Sequence, residues 1–295
     1  MTGVVYVYSL IAACLLGLGF VLQQHAAERA PLRDLLSFRL LLDLVKVPLW
    51  LWGIGCMVLG QVFSVLALAR GDLSRVEPLL ATNLIFAMAL ARWRGGQRLG
   101  FSGWAGVALL SGGVAAFIVA GAPEGGSAEV SALRHWLVVG LVVGAALLLV
   151  AVARHLRLVE EPPLLAAAAG LLYGLQDALT RTSSRIAGDS GLAALLVTWQ
   201  PYTIVALAVT GLLLVQSAFE AGELRMSLPA LTAAEPLAGI ACGIGFLGDR
   251  LRVTPAALAW QVAGLAAVVT GVFVLGRHPA LPTSRGGGRQ PAAEG

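Results

Sequence analysis

Charged residues are scarce in this chain. They make up 12% of its 295 residues, about half of the share that soluble domains carry. A chain with so few charges cannot cover a water-facing surface, which excludes an ordinary soluble protein. Hydrophobic residues make up 58% and occur in runs as long as the roughly 20 residues that cross bilayer hydrocarbon. The composition therefore predicts an all-α integral membrane protein.

Cysteine and clustered basic residues are also scarce. Cys14, Cys56 and Cys242 lie inside apolar runs without CxxC spacing, which argues against a disulfide framework and predicts packing roles. The net charge is +4, but the basic residues are scattered, so nucleic acid is not an expected partner. The sequence has no Walker A loop, Ser/His/Asp set or metal-ligand spacing. We therefore expect neither an enzyme nor a cofactor.

Nine segments are long and apolar enough to cross the membrane: roughly 3–22, 48–69, 74–92, 103–121, 135–153, 163–183, 192–217, 225–247 and 256–276. Residues 32–46 carry five charges, each costing about 2.5–3.5 kcal/mol at the bilayer centre. We expect an amphipathic helix at the interface there, with a short, tilted tenth span as the alternative. Residues 278–295 are rich in Pro, Gly and Ser and are expected to form a disordered tail.

Lysine and arginine counts predict the orientation. With nine spans, the loops and termini on one side hold thirteen of these residues and those on the other side hold seven. The richer side faces the cytoplasm. The chain is thus expected to be a multi-pass protein of the cell membrane, with its N-terminus outside and its C-terminus in the cytoplasm.

Two copies of a motif indicate an internal repeat. The first runs from Glu77-Pro78-Leu79 to Gly96-Gln97-Arg98-Leu99, and the second from Glu235-Pro236-Leu237 to Gly248-Asp249-Arg250-Leu251. The copies are five spans apart, an odd number, so they run through the membrane in opposite senses. Inverted repeats, here about 1–122 and 135–277, are a transporter architecture with the solute site between the halves.

Three prolines lie inside predicted spans: Pro78, Pro201 and Pro236. Proline removes a backbone N–H and clashes with the preceding turn, so each is a candidate kink or hinge. A kink that a neighbouring side chain fills is the alternative for each.

Pairs of glycines four residues apart occur at 140 and 144, 170 and 174, and 239 and 243. Such pairs let helix backbones approach closely. They predict helix packing inside the chain, and a homodimer contact is the alternative.

These motifs resemble those of the drug/metabolite transporter superfamily, and within it the nine-span branch of NIPA-like magnesium transporters and their bacterial relatives. The resemblance rests on the run from Pro48 to Gly53, on the two Glu-Pro-Leu blocks with their turns, and on residues 170–174 leading to Asp177. It covers nearly the whole chain, to about residue 277, and implies transport of a metabolite, a drug or a divalent cation. The superfamily usually has Gly-Glu where this chain has Gln97 and Asp249, so the first acidic group is absent.

Polar residues inside the spans are few, and their cost in lipid makes them the candidates for a solute or ion pathway. Asp177 and Glu235 are the best pair, and we expect one or both to couple a proton or bind a cation. A structural partnership, such as Asp177 with Arg181, is the alternative. The other candidates are Glu77, Asn83, Gln61, Gln176, Gln200, Tyr202 and Gln261. The amides would equally suit helix–helix hydrogen bonds.

The sequence thus predicts a secondary transporter that carries a small metabolite or cation across the bilayer by alternating access. A dedicated magnesium transporter or channel is one alternative, since magnesium binds carboxylates and keeps several waters. A non-transporting membrane scaffold subunit is another.

Overall fold

The computed structural model describes residues 2–28, 36–68, 70, 73–95, 100–122, 132–155 and 161–276. Secondary structure within these residues is helical, with no β-strand. Seven helices in this part of the chain are long and apolar enough to cross a membrane. The protein is therefore an all-α membrane protein, as its composition predicts. The helices are α1 (Thr2–Ala27), α2 (Phe38–Leu44), α3 (Pro48–Leu68), α4 (Leu73–Leu80), α5 (Asn83–Gly95), α6 (Phe101–Gly121), α7 (Ala132–His155), α8 (Glu161–Ser190), α9 (Gln200–Ala221), α10 (Leu224–Cys242) and α11 (Pro255–Gly276).

The seven long apolar helices are α1, α3, α6, α7, α9, α10 and α11, and each overlaps a predicted span, although α9 begins at Gln200, eight residues after the predicted start at 192. The third predicted span is two helices, α4 and α5, with a turn at Ala81 and Thr82 between them. The sixth is α8, which is 30 residues long and ends seven residues beyond its predicted boundary. Polar residues between Gln176 and Ser190 lower its hydropathy, so α8 is not among the seven.

Helix α2 lies within the amphipathic segment expected at residues 32–46. It is seven residues long, far shorter than the roughly 20 residues of a span. Leu40 and Leu44 are buried, whereas Phe38 and Leu42 are more than 60% exposed. The helix therefore lies against the bundle on one face only. Residues 29–35 and the predicted tail at 278–295 lie outside the described residues.

The bundle consists of two groups of helices. In the first, α1 packs against α3, α4 and α5; in the second, α8 packs against α9, α10 and α7. Helix α6 lies along α11 and joins the groups.

Glycines set how closely the helices approach. A Cβ on Gly113 would lie 2.6 Å from the carbonyl oxygen of Gly264, and one on Gly271 would lie 2.8 Å from that of Gly106. Gly170 and Gly174 similarly contact α10, as their spacing predicts. Gly140 and Gly144 on α7 have open space around them, so this pair contacts no described part of the chain.

Candidate functional site

Helices α8 and α10 bring the two leading candidate residues onto neighbouring backbones. A Cβ on Gly170 would lie 3.0 Å from the backbone nitrogen of Glu235, and one on Gly174 would overlap the Glu235 carbonyl. The Glu235 carboxylate is half-buried at this contact and within electrostatic range of Tyr173. Asp177, one turn along α8, is exposed and within electrostatic range of Cys242 on α10. The two acidic residues thus lie along one helix pair, as the pathway hypothesis requires.

An ion pair closes one end of this helix pair. Arg181 of α8 donates to both carboxylate oxygens of Asp249, at 2.7 and 3.1 Å. The Asp249 side chain is 4% exposed and that of Arg181 is 46% exposed. Bidentate guanidinium–carboxylate pairs combine charge with fixed geometry, so this pair holds the turn after α10 against α8. The sequence suggested Asp177 as the partner of Arg181, whereas the structure shows Arg181 bound to Asp249.

The turn before Asp249 is itself irregular. Residues Gly243–Leu247 form a π-helical turn, and Arg134 of α7 donates to the Ile244 carbonyl at 3.0 Å. A Cβ on Gly243 would lie 2.5 Å from an Asp249 carboxylate oxygen. A side chain at position 243 would therefore displace the Asp249 carboxylate from this position.

The two Glu-Pro pairs of the predicted repeat lie at different distances from the starts of their helices. Glu77 lies four residues after the start of α4, whereas Glu235 lies eleven residues after the start of α10. Gly17 of α1 contacts the Asn83 carbonyl, and Gly174 of α8 contacts the Glu235 carbonyl. The Glu77 side chain lies outside the described residues.

The three candidate hinge prolines have different environments. Pro78 lies two residues before the end of α4, so the predicted break is present there. Pro201 is the second residue of α9, where proline suits the start of a helix because no N–H is needed. The predicted span 192–217 is interrupted just before it, at Thr198 and Trp199, so the predicted break is present there as well. Helix α10 continues through Pro229 and Pro236, so neither proline breaks it.

Two further candidates stabilise loops. Gln261 is buried and donates to the Arg252 carbonyl at 2.8 Å. The Tyr202 hydroxyl donates to the Leu196 carbonyl at 2.8 Å and its side chain is exposed. Both bonds hold the segment that precedes their own helix, a structural role that leaves little support for a place in the pathway.

Three other candidates each bury an oxygen that accepts no hydrogen bond from the described residues: Asn83 Oδ1, Gln176 Oε1 and Gln200 Oε1. An unsatisfied buried acceptor costs about 1–3 kcal/mol. In this conformation the protein encloses each of the three oxygens, so none of them is accessible to a solute.

A buried polar contact between the two helix groups was not predicted. Gln216 of α9 donates to the Oε1 atom of Gln23 of α1, and both side chains are at most 1% exposed. Phe20 and Phe219 meet edge to face beside them, with ring centroids 6.3 Å apart. Glu220, one turn beyond Gln216, is also buried. Gln23 was missed because the first span was predicted to end at residue 22, whereas α1 continues to Ala27.

Gln61 lies in the wall of a cleft on the same side of the bundle. The cleft has a volume of about 500 Å³ and lies between α3 and α9, with α1 beneath. Its lining residues are mostly aliphatic and include no charged side chain: Gln23, Ile54, Met57, Val58, Gln61, Val62, Val65, Leu66 and Leu212. Gln61 and Gln23 are its only polar residues.

Metal coordination was left open by the sequence. Within the described residues, no three His, Cys, Asp or Glu side chains lie close enough together to hold a metal ion. Asp177 and Glu235 therefore remain a pair of carboxylates on adjacent helices, without a third acidic, histidine or cysteine ligand among those residues.

Comparisons with known proteins place the chain beside one relative of similar length. It is 28% identical over 279 residues to an uncharacterized protein of Corynebacterium glutamicum, and the match covers 93% of this chain and 95% of the relative. No family model matches the chain, and no solved structure matches it.

Proposed function

We propose that this protein is a secondary transporter that moves a small metabolite or cation across the cell membrane by alternating access. In this proposal the N-terminus is outside and the C-terminus is in the cytoplasm. The resemblance to NIPA-like members of the drug/metabolite transporter superfamily is part of the proposal.

Matching contacts in the two helix groups support an inverted repeat. The α1 contacts with α3 and α4–α5 parallel the α8 contacts with α9 and α10. Gly106 lies against Gly271, and Gly113 lies against Gly264. If α11 takes the place of α6, both read from N- to C-terminus, Gly264 replaces Gly106 and Gly271 replaces Gly113. Each of the two contacts is then mapped onto the other. The same exchange relates Gly17 to Gly174, and both contact the partner helix through a backbone carbonyl.

The observation that carries the proposal is a contact formed at only one of two related places. In the proposed repeat, α1 corresponds to α8 and α3 corresponds to α9. The contact between α1 and α9 therefore corresponds to a contact between α8 and α3. The first is closed by the buried Gln23–Gln216 hydrogen bond, whereas α3 makes no comparable contact with α8 in the described part of the chain. With the N-terminus outside, the closed contact is cytoplasmic. Such asymmetry between related contacts is expected of a transporter in an outward-open state.

The carboxylates on α8 and α10 supply the coupling chemistry. Asp177 is exposed on the open side, and Glu235 is half-buried where the helices touch. Each would take up a proton or a cation in one state and release it in the other. Magnesium remains the second candidate solute, because of the resemblance and because this helix pair carries two acidic residues.

A reversible cross-link tests the gate. Gln23→Cys and Gln216→Cys would be combined with Cys14→Ser, Cys56→Ser and Cys242→Ala, and joined by a short bifunctional methanethiosulfonate. In vesicles, uptake would be measured for radiolabelled amino acids, nucleosides, sugars and quaternary amines, and for Mg²⁺ with a trapped indicator. We expect uptake of at least one of these to stop on cross-linking and to return with dithiothreitol.

Single-cysteine variants treated in the same way are the control. Unchanged uptake by protein that mass spectrometry shows to be cross-linked would contradict alternating access through this contact. A protein that takes up none of the compounds in any form would favour the scaffold alternative.

The acidic pair has its own test. Asp177→Asn and Glu235→Gln remove the charge and keep the shape, so we expect at least one of them to lower uptake and flatten its pH dependence. Uptake rates and pH profiles that match the wild type in both variants would exclude the coupling role.

A further inference from the structure

Tyr173 lies where three helices of the second group meet. On α8 it stands between Gly170 and Gly174, and a Cβ on either glycine would meet the backbone of Glu235 on α10. Its ring lies on Gly211 of α9, where a Cβ would be 2.5 Å from the Cε1 atom of the ring. Tyr173 therefore connects the helix that carries Glu235 with α9.

The polar end of Tyr173 is near the Glu235 carboxylate. The two groups are within electrostatic range of each other, and Glu235 is half-buried. In this conformation no described residue forms a hydrogen bond with the Tyr173 hydroxyl. A hydroxyl beside a carboxylate can donate a charge-assisted hydrogen bond to it when the carboxylate is ionised.

Packing at this place does not need a phenol. In the proposed repeat, Leu16 of α1 and Gly60 of α3 correspond to Tyr173 and Gly211. A Cβ on Gly60 would lie 2.9 Å from the Cγ atom of Leu16, so an aliphatic side chain fills the corresponding place in the first helix group. The phenol is therefore not explained by helix packing alone.

The carboxylate is also present in only one of the two helix groups. Gly17 lies against the Asn83 carbonyl, and Gly174 lies against the Glu235 carbonyl. Each glycine directly follows the residue compared above, the leucine in the first group and Tyr173 in the second. The phenol thus occurs together with the carboxylate, whereas the first group has a leucine and an amide at the corresponding places.

A movement of the Tyr173 ring would act on α9, which carries the closed contact with α1. Gln216 is bonded to Gln23 and lies five residues after Gly211, which is about 7.5 Å along the helix. Because Gly211 has no side chain, the ring rests directly on the α9 backbone. A displacement of the ring would therefore reach the helix itself.

We propose that Tyr173 is a positioning residue for the coupling carboxylate. Its hydroxyl donates to Glu235 while the carboxylate is charged, and its ring transmits the making and breaking of this bond to α9 at Gly211. Uptake of a proton or a cation by Glu235 would release the hydroxyl and allow α9 to move. The inference rests on the coupling role of Glu235 in the proposed function.

Few other ionisable groups can influence Glu235. Helices α6 and α11 carry none, and those of α5, α7 and α9 lie within four residues of a helix end. On α8, Asp177 is one turn from Tyr173, and Arg181 is bound to Asp249. The remaining ionisable residues of α8 and α10 lie about two turns or more from Tyr173 or Glu235 along their own helix: Glu161, Arg185, Asp189, Arg225 and Cys242.

Infrared spectroscopy of the full chain in vesicles of ether-linked phospholipids tests the hydrogen bond. Subtracting the spectrum of Glu235→Gln isolates the carbonyl band of protonated Glu235, whose intensity is followed against pH. Tyr173→Phe removes only the hydroxyl, so the charged carboxylate loses a donor and the protonated form should persist to higher pH. We expect the midpoint to rise by about one to two pH units, the effect of one hydrogen bond to a charged group.

Gly211→Ala and Gly60→Ala are a matched pair that tests the contact with α9. Each adds a methyl group against the side chain that lies on the glycine, but only Gly211 lies against the phenol. We expect Gly211→Ala to move the Glu235 midpoint by about half a pH unit or more, and Gly60→Ala to leave it unchanged.

Two further variants control for other causes. Asp177→Asn, combined with each variant, removes the nearby acidic charge and should leave the shifts in place. Tyr202→Phe removes a hydroxyl that bonds the Leu196 carbonyl and should leave the midpoint unchanged. Circular dichroism establishes that each variant is folded. Amide hydrogen exchange of α9, corrected for intrinsic rates, replaces Gly211→Ala if that variant is not: exchange should change across the midpoint in the wild type and not in Tyr173→Phe.

The possible results are distinct. Equal midpoints in the wild type and Tyr173→Phe would exclude the hydrogen bond, and equal midpoints in Gly211→Ala and Gly60→Ala would exclude transmission to α9. A Glu235 band that does not change with pH while the protein is folded would exclude both. A midpoint that depends on Tyr173 in a protein without uptake would count against the proposed function only. Uptake whose pH profile is the same in Tyr173→Phe would count against this inference only.

Discussion

The two helix groups meet along two seams that differ in how they are built. At the α6–α11 seam, Gly113 and Gly264 bring the backbones into direct contact. At the other seam α9 touches α1 through long side chains, Gln216 on Gln23, and a cleft separates it from α3. Backbone contact has one close-packed arrangement, whereas long side chains can separate and re-form. In the alternating access that we propose, α6–α11 would be the fixed axis and the two helix groups would separate at the α1–α9 side.

The largest predicted effect is at the glycine seam. A Cβ on Gly113 would lie 2.6 Å from the Gly264 carbonyl oxygen, so Gly113→Leu should force the helices apart and cost about 3 kcal/mol or more of unfolding free energy. The control is Gly112→Leu, because Gly112 has open space around it. Denaturation in SDS, followed by circular dichroism, measures both. Equal stability of the two variants would remove the distinction between the seams.

The Arg181–Asp249 ion pair lies inside one helix group, and its removal is expected to change the unfolding free energy by an intermediate amount. Arg181→Gln removes the guanidinium from Asp249, whose side chain is 4% exposed, and should cost about 1–3 kcal/mol of unfolding free energy after allowance for the exposure of Arg181. Asp249→Asn should cost less, because a half-exposed guanidinium still reaches water.

The exposed pair of Lys46 and Asp43 is the control for that measurement. Lys46→Gln should change the unfolding free energy by about 0.5 kcal/mol or less. An Arg181→Gln variant as stable as Lys46→Gln would show that the turn after α10 is held by other contacts.

The side-chain seam should respond more weakly. Gln23→Leu leaves the buried Gln216 amide without its acceptor and should cost about 1 kcal/mol of unfolding free energy. The double variant Gln23→Leu/Gln216→Leu should recover part of this loss, because it leaves neither amide unpaired. A double variant that loses the full sum of both single effects would mean that the two amides do not act together.

The smallest effect is expected in the cleft. Val62 is 49% exposed, so Val62→Ala should change the unfolding free energy by less than about 0.5 kcal/mol. Val107 of α6 is 1% exposed, and Val107→Ala is the buried comparison, with a larger loss expected from its lost packing. Equal losses would show that the cleft is closed in the folded protein.

Sequence patterns predicted the positions of the helices more reliably than the contacts between them. Apolar runs identified each span because lipid requires about 20 apolar residues, yet the break after Pro78 and the start of α9 at Gln200 depend on local turns. The candidate site was predicted in part. Asp177 and Glu235 do lie along one helix pair, but the Gln23–Gln216 bond joins residues 193 positions apart, and no periodic pattern signals such a pairing.

The amino-acid sequence by itself determined that this chain enters a membrane as helices, because scarce charge and long apolar runs leave no other stable environment for it. It also predicted several of the polar residues inside the helices, although not the Gln23–Gln216 pair. Only the tertiary structure decided that Asp249 binds Arg181, and that one seam is tight while the other holds a cleft. Those outcomes depend on where glycines let backbones touch, and contact between distant segments is a property of packing in three dimensions.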